Sequence, residues 1–470
     1  MVSSPSATNV MWFRRDLRLA DHPALSAAAS AGRVVGLFIV NRDILSGTGP
    51  ARGHFLHECL TDLRSAIDEA LVLREGPDSE VLQDICRESG ATTVFATADY
   101  APYGRRRDAA VAAALAADGI TLQLIDSNYL VAPGSILNKT GTPFKVFTAF
   151  RRVWDQFSVP TPLPVPSGIE WWRGESLLPS RICEVAATQR PDFFGGLPDS
   201  ASGVHRGGES IAREVLDNFA PRVDAYDEIR NLPGRDETSR LGPHLRFGTI
   251  HPRQVLAATG DHSDGSRVFA SEICWREFYA DVMFHHPDSV HVNLQSSMDA
   301  LRVDVGASAE EKFRQWARGE TGYPLVDAGM RQLLEEGWMH NRVRMVTASF
   351  LIKHLHLDWR WGARWFMWNL VDGDIASNQH GWQWTAGTGT DASPYYRVFN
   401  PTLQAERFDP HGTYVHRFIP ELVATPAPQC LQPGGGEGLL RPASYPAPMI
   451  DAAAERVEAL ARLAEAKEVR

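Results

Sequence analysis

The chain has 470 residues, more than one hydrophobic core usually serves, which points to two or more domains. Hydrophobic residues at 44% and charged residues at 22% are those of an ordinary globular protein, and a formal charge of −10 argues against indiscriminate nucleic-acid binding while leaving room for a local basic patch. No run reads as a signal peptide or a bilayer span, so a cytoplasmic protein is expected, and five scattered cysteines outside any C-x-x-C argue against a disulfide framework or a structural metal site.

In the first 150 residues, "NVMWF", "VVGLFIV", "ALVLRE", "TTVFATA" and "TLQLI" alternate with helical segments such as "HFLHECLTDLRSAIDEA", the pattern of a parallel α/β sheet. The first strand runs into "MWFRRDLRLADHPAL" and not into a G-x-G-x-x-G, so a dinucleotide site of the usual Rossmann kind is not supported. The proline-rich "SVPTPLPVPSG" at 158–168 marks a connector. We therefore divide the chain into an α/β domain at 1–135, a connector at 136–204 and a mostly helical domain at 205–470, the last carried by patterns such as "SRVFASEICWREFYADVMFH" and "PLVDAGMRQLLEEG". A Pro/Gly-rich segment and an Ala-rich helix close the sequence, and no internal repeat is visible.

Nine of the thirteen tryptophans fall between Trp275 and Trp384. Single members such as Trp316, Trp365 or Trp368 read as core filler, but the cluster, beside acids and amides, suits the stacking of a flavin or a nucleobase. Between Trp338 and Arg364 stand Arg342, Arg344, Lys353, Arg360 and Arg364 against the single acid Asp358, a basic region that reads either as a solvated helix face or as a phosphate contact. "DGDIASNQHGWQW" (372–384) joins two carboxylates, an amide-rich turn and two tryptophans.

Together "WFRRDLRLADHPAL", "TSRL", "EICWREFY", "GETGYPLVDAGMRQLLEEGWMHNRVRM", "DGDIASNQHGWQW" and "GTDASPYYRVFNP" resemble the DNA photolyase/cryptochrome family, most closely the class I cyclobutane pyrimidine dimer photolyases. The resemblance implies an α/β antenna domain and an all-helical domain holding FAD. It assigns the cofactor to Tyr226, the turn Thr238, Ser239, Arg240, Leu241 and Gly242, then Phe269, Arg276, Arg344, Asp372, Gly373, Asp374 and Asn378. Relatives more often carry serine at Gly242, which predicts one side-chain hydrogen bond fewer, and tryptophan at Phe269. Asn378 would face the flavin N5, where a neutral amide suits a ring that changes protonation and redox state.

The implied reaction is blue-light repair of ultraviolet-damaged DNA, in which excited reduced FAD lends an electron to a pyrimidine dimer flipped out of the helix; photolyases are themselves among the known base flippers. Trp275 and Trp384 would stack the flipped bases, Glu272 and Asn341 would read their edges, and Met345 would form an apolar floor. Arg230, Arg342, Arg397 and Gln404 would contact the DNA backbone. Structural readings stand beside these: an ion-pair partner for Glu272, core filler for Met345, a solvated helix residue for Arg342. Asn341, Met345 and Glu272 favour cyclobutane dimers over (6-4) photoproducts, whose enzymes place histidines on this helix. A cryptochrome-type light sensor is the alternative of another class; the chain ends soon after "HRFIPEL", without the long extension of signalling relatives, which favours an enzyme, and a monomer is expected.

Two further expectations follow from the resemblance. The first is an antenna pigment near Arg52 and Arg105, a deazaflavin first, FAD or FMN second, none third. The second is an electron path to the flavin through Trp382 and Trp359, with Trp361 as outer relay because no tryptophan stands between Trp275 and Trp316.

Overall fold

The computed structural model describes residues 7–390, 396–435 and 442–468. Five short strands form one parallel sheet in the order β3-β2-β1-β4-β5: β1 (Thr8–Phe13), β2 (Arg33–Val40), β3 (Val72–Glu75), β4 (Thr93–Ala96) and β5 (Thr121–Leu124). Central β1 lies between β2 and β4, with Val10 opposite Val35 on one side and Val94 on the other.

Because side chains alternate along a strand, Met11 and Phe13 enter one core with Leu25 of α1 (Pro23–Ala31) and Phe55 of α2 (Pro50–Ala66). Val10 and Trp12 enter another with Ile85 of α3 (Asp78–Ser89) and Leu115 of α4 (Pro102–Ala117). Helices thus cover both faces, which is why β1 and β2 read as continuous apolar runs and not as alternating ones. Strand order reverses between β1 and β4, so the loops after them, Arg14–Asp16 and Thr97–Tyr100, meet at the carboxyl end of the sheet.

After Leu124 the described residues hold no further strand element. Four helices matter for the site: α5 (Asp264–His285), α6 (Asn341–Lys353), α7 (Trp359–Asn369) and α8 (Ile375–Ala386). Each has a side-chain cap, from Ser263, His340, Asp358 and Asp374 in turn. Their largest core gathers Trp316, Trp359, Trp365, Trp368 and Trp382. Several of these tryptophans find polar partners inside it: Trp316 Nε1 donates to the Thr347 carbonyl at 3.1 Å and Trp368 Nε1 to Asp199 at 2.7 Å. No described helix is long and apolar enough to cross a membrane.

Candidate cofactor and nucleic-acid site

One face of each of these helices opens on a shared cavity of about 380 Å³. From α5 come Glu272, Trp275, Arg276 and Tyr279; from α6 Asn341, Arg344, Met345 and Ala348, with Arg342 beside them; from the end of α7 Phe366 and Leu370. The loop 372–374 and α8 contribute Asp372, Gly373, Asp374, Ser377, Asn378, Gly381, Trp382, Trp384 and Thr385. Spacings of three and four within each set follow the helical repeat. Arg230 completes the lining.

Burial separates the tryptophans that sequence left together. Trp275 and Trp384 are half-buried and face the cavity, whereas Trp316 and Trp365 are fully buried at 0% exposure and serve the core. Trp275 is held flat against Phe147, with centroids 3.6 Å apart and planes 8° from parallel, which leaves its other face for a ligand ring. Trp382 packs edge-on to Phe366 at 4.9 Å and to Trp316 at 6.2 Å, and a methyl group at Gly362 would run into its six-membered ring.

Three ion pairs organise the polar wall: Arg230–Glu272 at 2.8 Å, Arg344–Asp372 at 2.9 Å and Arg15–Asp374 at 2.6 Å. The ion-pair reading of Glu272 therefore holds geometrically, while its place in the cavity is kept. Burial raises its pKa against the pull of Arg230. For Asp374 burial would do the same, but Arg15, Arg246 and Arg276 outweigh it and hold the carboxyl well below its usual range. Its Oδ1 meanwhile accepts from the Ala376 and Ser377 amides, each at 3.1 Å, so both oxygens serve the fold. Arg15 comes from the loop after β1, so the α/β half grips the cap of the helix that carries Asn378 and Trp382. Asn378 spends its amide hydrogens on the Ala363 carbonyl at 3.0 Å and Gln379 Oε1 at 2.9 Å, which leaves its own oxygen as what it offers a ligand.

An FAD molecule suits this donor set. Asp372 Oδ1 and Thr238 Oγ1 are buried without protein partners, the cavity has the size of a small-molecule site, and its walls mix aromatic faces with a few directed polar groups. Gly242 is explained by Asp372: a β-carbon there would lie 2.8 Å from Asp372 Oδ2, so a serine would press on the Arg344–Asp372 pair.

Other expected residues lie outside the lining. Tyr226 and Phe269 pack edge to face at 5.1 Å in an adjacent core, which Leu241 joins. Ser239 accepts from the Leu241 amide at 3.4 Å. Arg240 takes up a left-handed backbone (φ 53°), lies 3.7 Å over the Trp338 ring and pairs with Glu336 at 3.0 Å, so its charge is engaged by the protein. Trp359 is buried, with Nε1 on Asn293 at 2.9 Å. Trp361 meets Phe193 at 4.8 Å and Phe313 at 5.9 Å, and ring contacts lead from Phe313 through Trp316 to Trp382. Arg397 is exposed, and Gln404 stands on the Pro401–Phe408 helix, one turn before the Phe408 ring that lies under Arg342. Residues 391–395 of the "GTDASPYYRVFNP" motif lie outside the described residues.

One expectation needs correction. The basic region does not form one patch, because the helical repeat turns its members apart: Lys353 is buried and donates to the Arg397 carbonyl at 2.6 Å, Arg360 pairs with its own cap Asp358 at 3.0 Å, and Arg342 donates to Asn231 at 2.7 Å. Arg52 and Arg105, the residues expected near an antenna pigment, stand in different surroundings. Arg52 sits on the inward face of α2, 6% exposed, with Nη1 on the Gly373 carbonyl at 3.3 Å, whereas exposed Arg105 stacks 4.4 Å from Phe284. The cleft between the β1 and β4 loops, lined by Arg14, Arg15, Asp99 and Tyr129 among others, has a volume of only about 10 Å³. Neither Arg52 nor Arg105 lines it.

Sequence reasoning missed Tyr279, Ala348, Phe366, Leu370, Ser377, Gly381 and Thr385. The signal was present: continuing the three-four spacing from Asp374, Asn378 and Trp382 names Ser377, Gly381 and Thr385, and doing so from Glu272 and Trp275 names Tyr279.

Comparison with known proteins identifies the family. Residues 9–167 match the family described as DNA photolyase, and residues 269–465 match the FAD binding domain of DNA photolyase. A deoxyribodipyrimidine photo-lyase of Agrobacterium fabrum is 39% identical with 99% of each chain covered, and that of Vibrio cholerae is 36% identical over 95% of this chain and 97% of its own. Among solved structures, a bacterial class III photolyase from Agrobacterium tumefaciens superposes with a TM-score of 0.88 at 38% identity, covering 100% of this chain and 99% of its own. An archaeal photolyase from Sulfolobus tokodaii, solved with two FAD molecules, gives 0.82 at 26% identity over 97% of this chain and 100% of its own. With an α/β sheet, a helical FAD-binding half and relatives of this identity along nearly its whole length, the chain belongs to the DNA photolyase family.

Proposed function

We propose that this chain repairs cyclobutane pyrimidine dimers in DNA under blue light, with FAD and the flipped dimer sharing the helical cavity. When bound, FAD supplies the light-driven electron that opens the bonds between the two bases and takes it back afterwards. What carries this reading is that candidate flavin groups, Asp372, Asn378 and Trp382, and candidate lesion groups, Trp275, Glu272, Asn341, Met345 and Trp384, line the same space.

The residues divide the work by their chemistry. Trp275 and Trp384 offer aromatic faces to bases that have lost their neighbours in the duplex, and Met345 adds a polarisable apolar surface. Glu272, oriented by Arg230, accepts hydrogen bonds from base N–H groups, while Asn341 both donates and accepts. Arg344 with Asp372, and the Asn378 oxygen, orient the flavin, and the Asn378 oxygen can accept from an N5–H that only the reduced ring carries. Arg276 adds a positive charge, its guanidinium fixed by the Asn128 and Leu245 carbonyls at 2.9 and 3.1 Å. Trp382 is the first aromatic relay to the flavin, with Trp359 and Trp316 as its continuations, and Arg230, Arg342, Arg397 and Gln404 meet the DNA backbone.

The (6-4) alternative needs a proton donor beside the lesion. His340 does not line the cavity; it is 3% exposed, its Nδ1 caps α6 by accepting from the Arg342 amide, and burial with nearby arginines lowers its pKa to about 3. A ring held neutral in that position favours the cyclobutane lesion. The test is repair of oligonucleotides carrying one defined lesion, under blue light and in darkness. Light-dependent loss of the cyclobutane dimer, with the (6-4) lesion untouched, is the expected result; flavin binding without repair would shift the assignment to a light sensor.

A further inference from the structure

Five arginines surround the loop 372–374, and only two of them have carboxylate partners. Arg344 pairs with Asp372 and Arg15 with Asp374, but Arg52, Arg246 and Arg276 lie within ion-pairing distance of no carboxylate among the described residues. Arg52 and Arg246 converge from opposite elements on one acceptor, the Gly373 carbonyl, at 3.3 and 3.0 Å. Residue 373 is a glycine for a steric reason: a β-carbon would lie 2.6 Å from Arg52 Nη1 and displace that guanidinium. Burial lowers the pKa of Arg52 to about 10 and, with the neighbouring charge of Arg15, that of Arg246 to about 9, although Asp372 and Asp374 pull the other way from beyond ion-pairing distance. Such a surplus is unfavourable unless an anion joins it, and Gly373, the residue both guanidinium groups hold, lines the cavity.

We infer that Arg52 and Arg246 form a positive backing behind the loop 372–374 that selectively stabilises the negatively charged, fully reduced form of the bound flavin. The inference rests on the assignment of FAD to the helical cavity. Neither arginine lines the cavity, so they act through space and through the Gly373 carbonyl, as positioning and electrostatic groups and not as catalytic residues. Oxidised FAD has a neutral ring, so the backing distinguishes redox states, whereas a contact to the diphosphate would favour both states alike.

The test uses full-length holoenzyme and the variants Arg52→Met, Arg246→Met, Arg52→Lys and Arg246→Lys, with the midpoint potential of bound FAD and the affinity of the apoprotein for oxidised FAD as readouts. Removing one such charge is expected to leave oxidised FAD binding within about threefold and to weaken reduced FAD binding about tenfold, which moves a two-electron potential about 30 mV more negative. The lysine variants, which keep the charge, should recover most of that shift. An unchanged potential overturns the inference, as does an equal loss of affinity in both redox states, which would assign the charges to the diphosphate. If the methionine variants fail to fold, Gly373→Ala displaces Arg52 without deleting its charge; a smaller negative shift supports the inference and an unchanged potential refutes it. Failure of every variant and of the parent protein to bind FAD would instead refute the cofactor assignment itself.

Discussion

The cleft at the carboxyl end of the sheet and the cavity between the helices are built from the same residue types, yet one is closed and the other open. Beside the cleft, Arg14 and Arg107 flank the Trp12 ring at 4.6 and 5.0 Å and both reach Asp108, while Arg107 also meets Asp99 at 3.5 Å. Arg14, Arg15 and Arg107 each have a carboxylate partner, and the space that Arg14 and Arg15 line shrinks to the size of a water molecule. Around the helical cavity cations exceed carboxylate partners, since Arg52, Arg246 and Arg276 lie within ion-pairing distance of no carboxylate among the described residues, and two tryptophans keep a face uncovered. Composition does not distinguish a structural arginine cluster from a ligand site; the state of compensation does.

The largest effect should come from the residue that joins the two regions. Asp374→Ala removes the Arg15 partner and the α8 cap together, and the loss of a charged hydrogen bond to the half-buried Arg15 and of the cap should cost about 3–4 kcal/mol. Urea denaturation would show the lowered midpoint; a change below about 1 kcal/mol would mean that the two halves do not depend on this contact.

Acid should act next, through the helical half. His340 has a folded pKa of about 3 against an ordinary 6.5, so the folded state stays neutral while the unfolded chain takes up a proton. Its contribution is complete above pH 6.5 and falls by about 1.4 kcal/mol per unit as the pH drops towards 3, about 2–3 kcal/mol by pH 4.5. His340→Asn, which can keep the cap, should flatten that part of the stability–pH curve, measured by thermal denaturation at a series of pH values.

In the compensated cleft, Asp108→Asn should cost about 1.5–2 kcal/mol, because Arg14 and Arg107 lose a charged acceptor but keep a neutral one. The flavin spectrum and FAD affinity should stay the same, and loss of FAD would show that the two regions are not separable. Gly381→Ala should reverse the usual relation of stability and binding. Nothing in the protein lies within 4 Å of a β-carbon at Gly381, and alanine is favoured in a helix by about 1 kcal/mol, so the apoprotein should gain slightly in stability. The methyl group would stand in the cavity, and binding of FAD or of the dimer should weaken severalfold by fluorescence titration.

Much of this was legible in the sequence. The five runs match the five strands; β1 and β2, buried along nearly their whole length, announce themselves as continuous apolar segments, whereas β5 at the sheet edge is largely exposed and is marked by its β-branched and leucine residues. Glu272, Trp275, Asn341, Met345, Asn378, Trp382 and Trp384 do come together, since helical spacing within motifs carries them to one side. What stayed hidden depends on contacts between distant segments. Arg52 and Arg246 lie far from residue 373 in sequence, so nothing local reveals that they meet at its carbonyl. Nor does a list of basic residues show that Arg360 satisfies its own cap or that Lys353 is buried beneath Tyr396, 4.1 Å from its ring.

If Trp382 is the first relay to the flavin, as proposed, Gly362 has a kinetic meaning beyond its fit. Because the Trp382 ring lies directly on that backbone, no side chain stands between ring and helix, and the indole is positioned by main-chain atoms and not by a choice among rotamers. Tunnelling rates fall steeply with separation, so an ensemble of ring orientations would give a spread of rates dominated by its closest members. A ring seated on main chain gives one separation and one rate. The decay of the light-induced charge pair should then be a single exponential, and Gly362→Ala should make it multiphasic before it makes it slow.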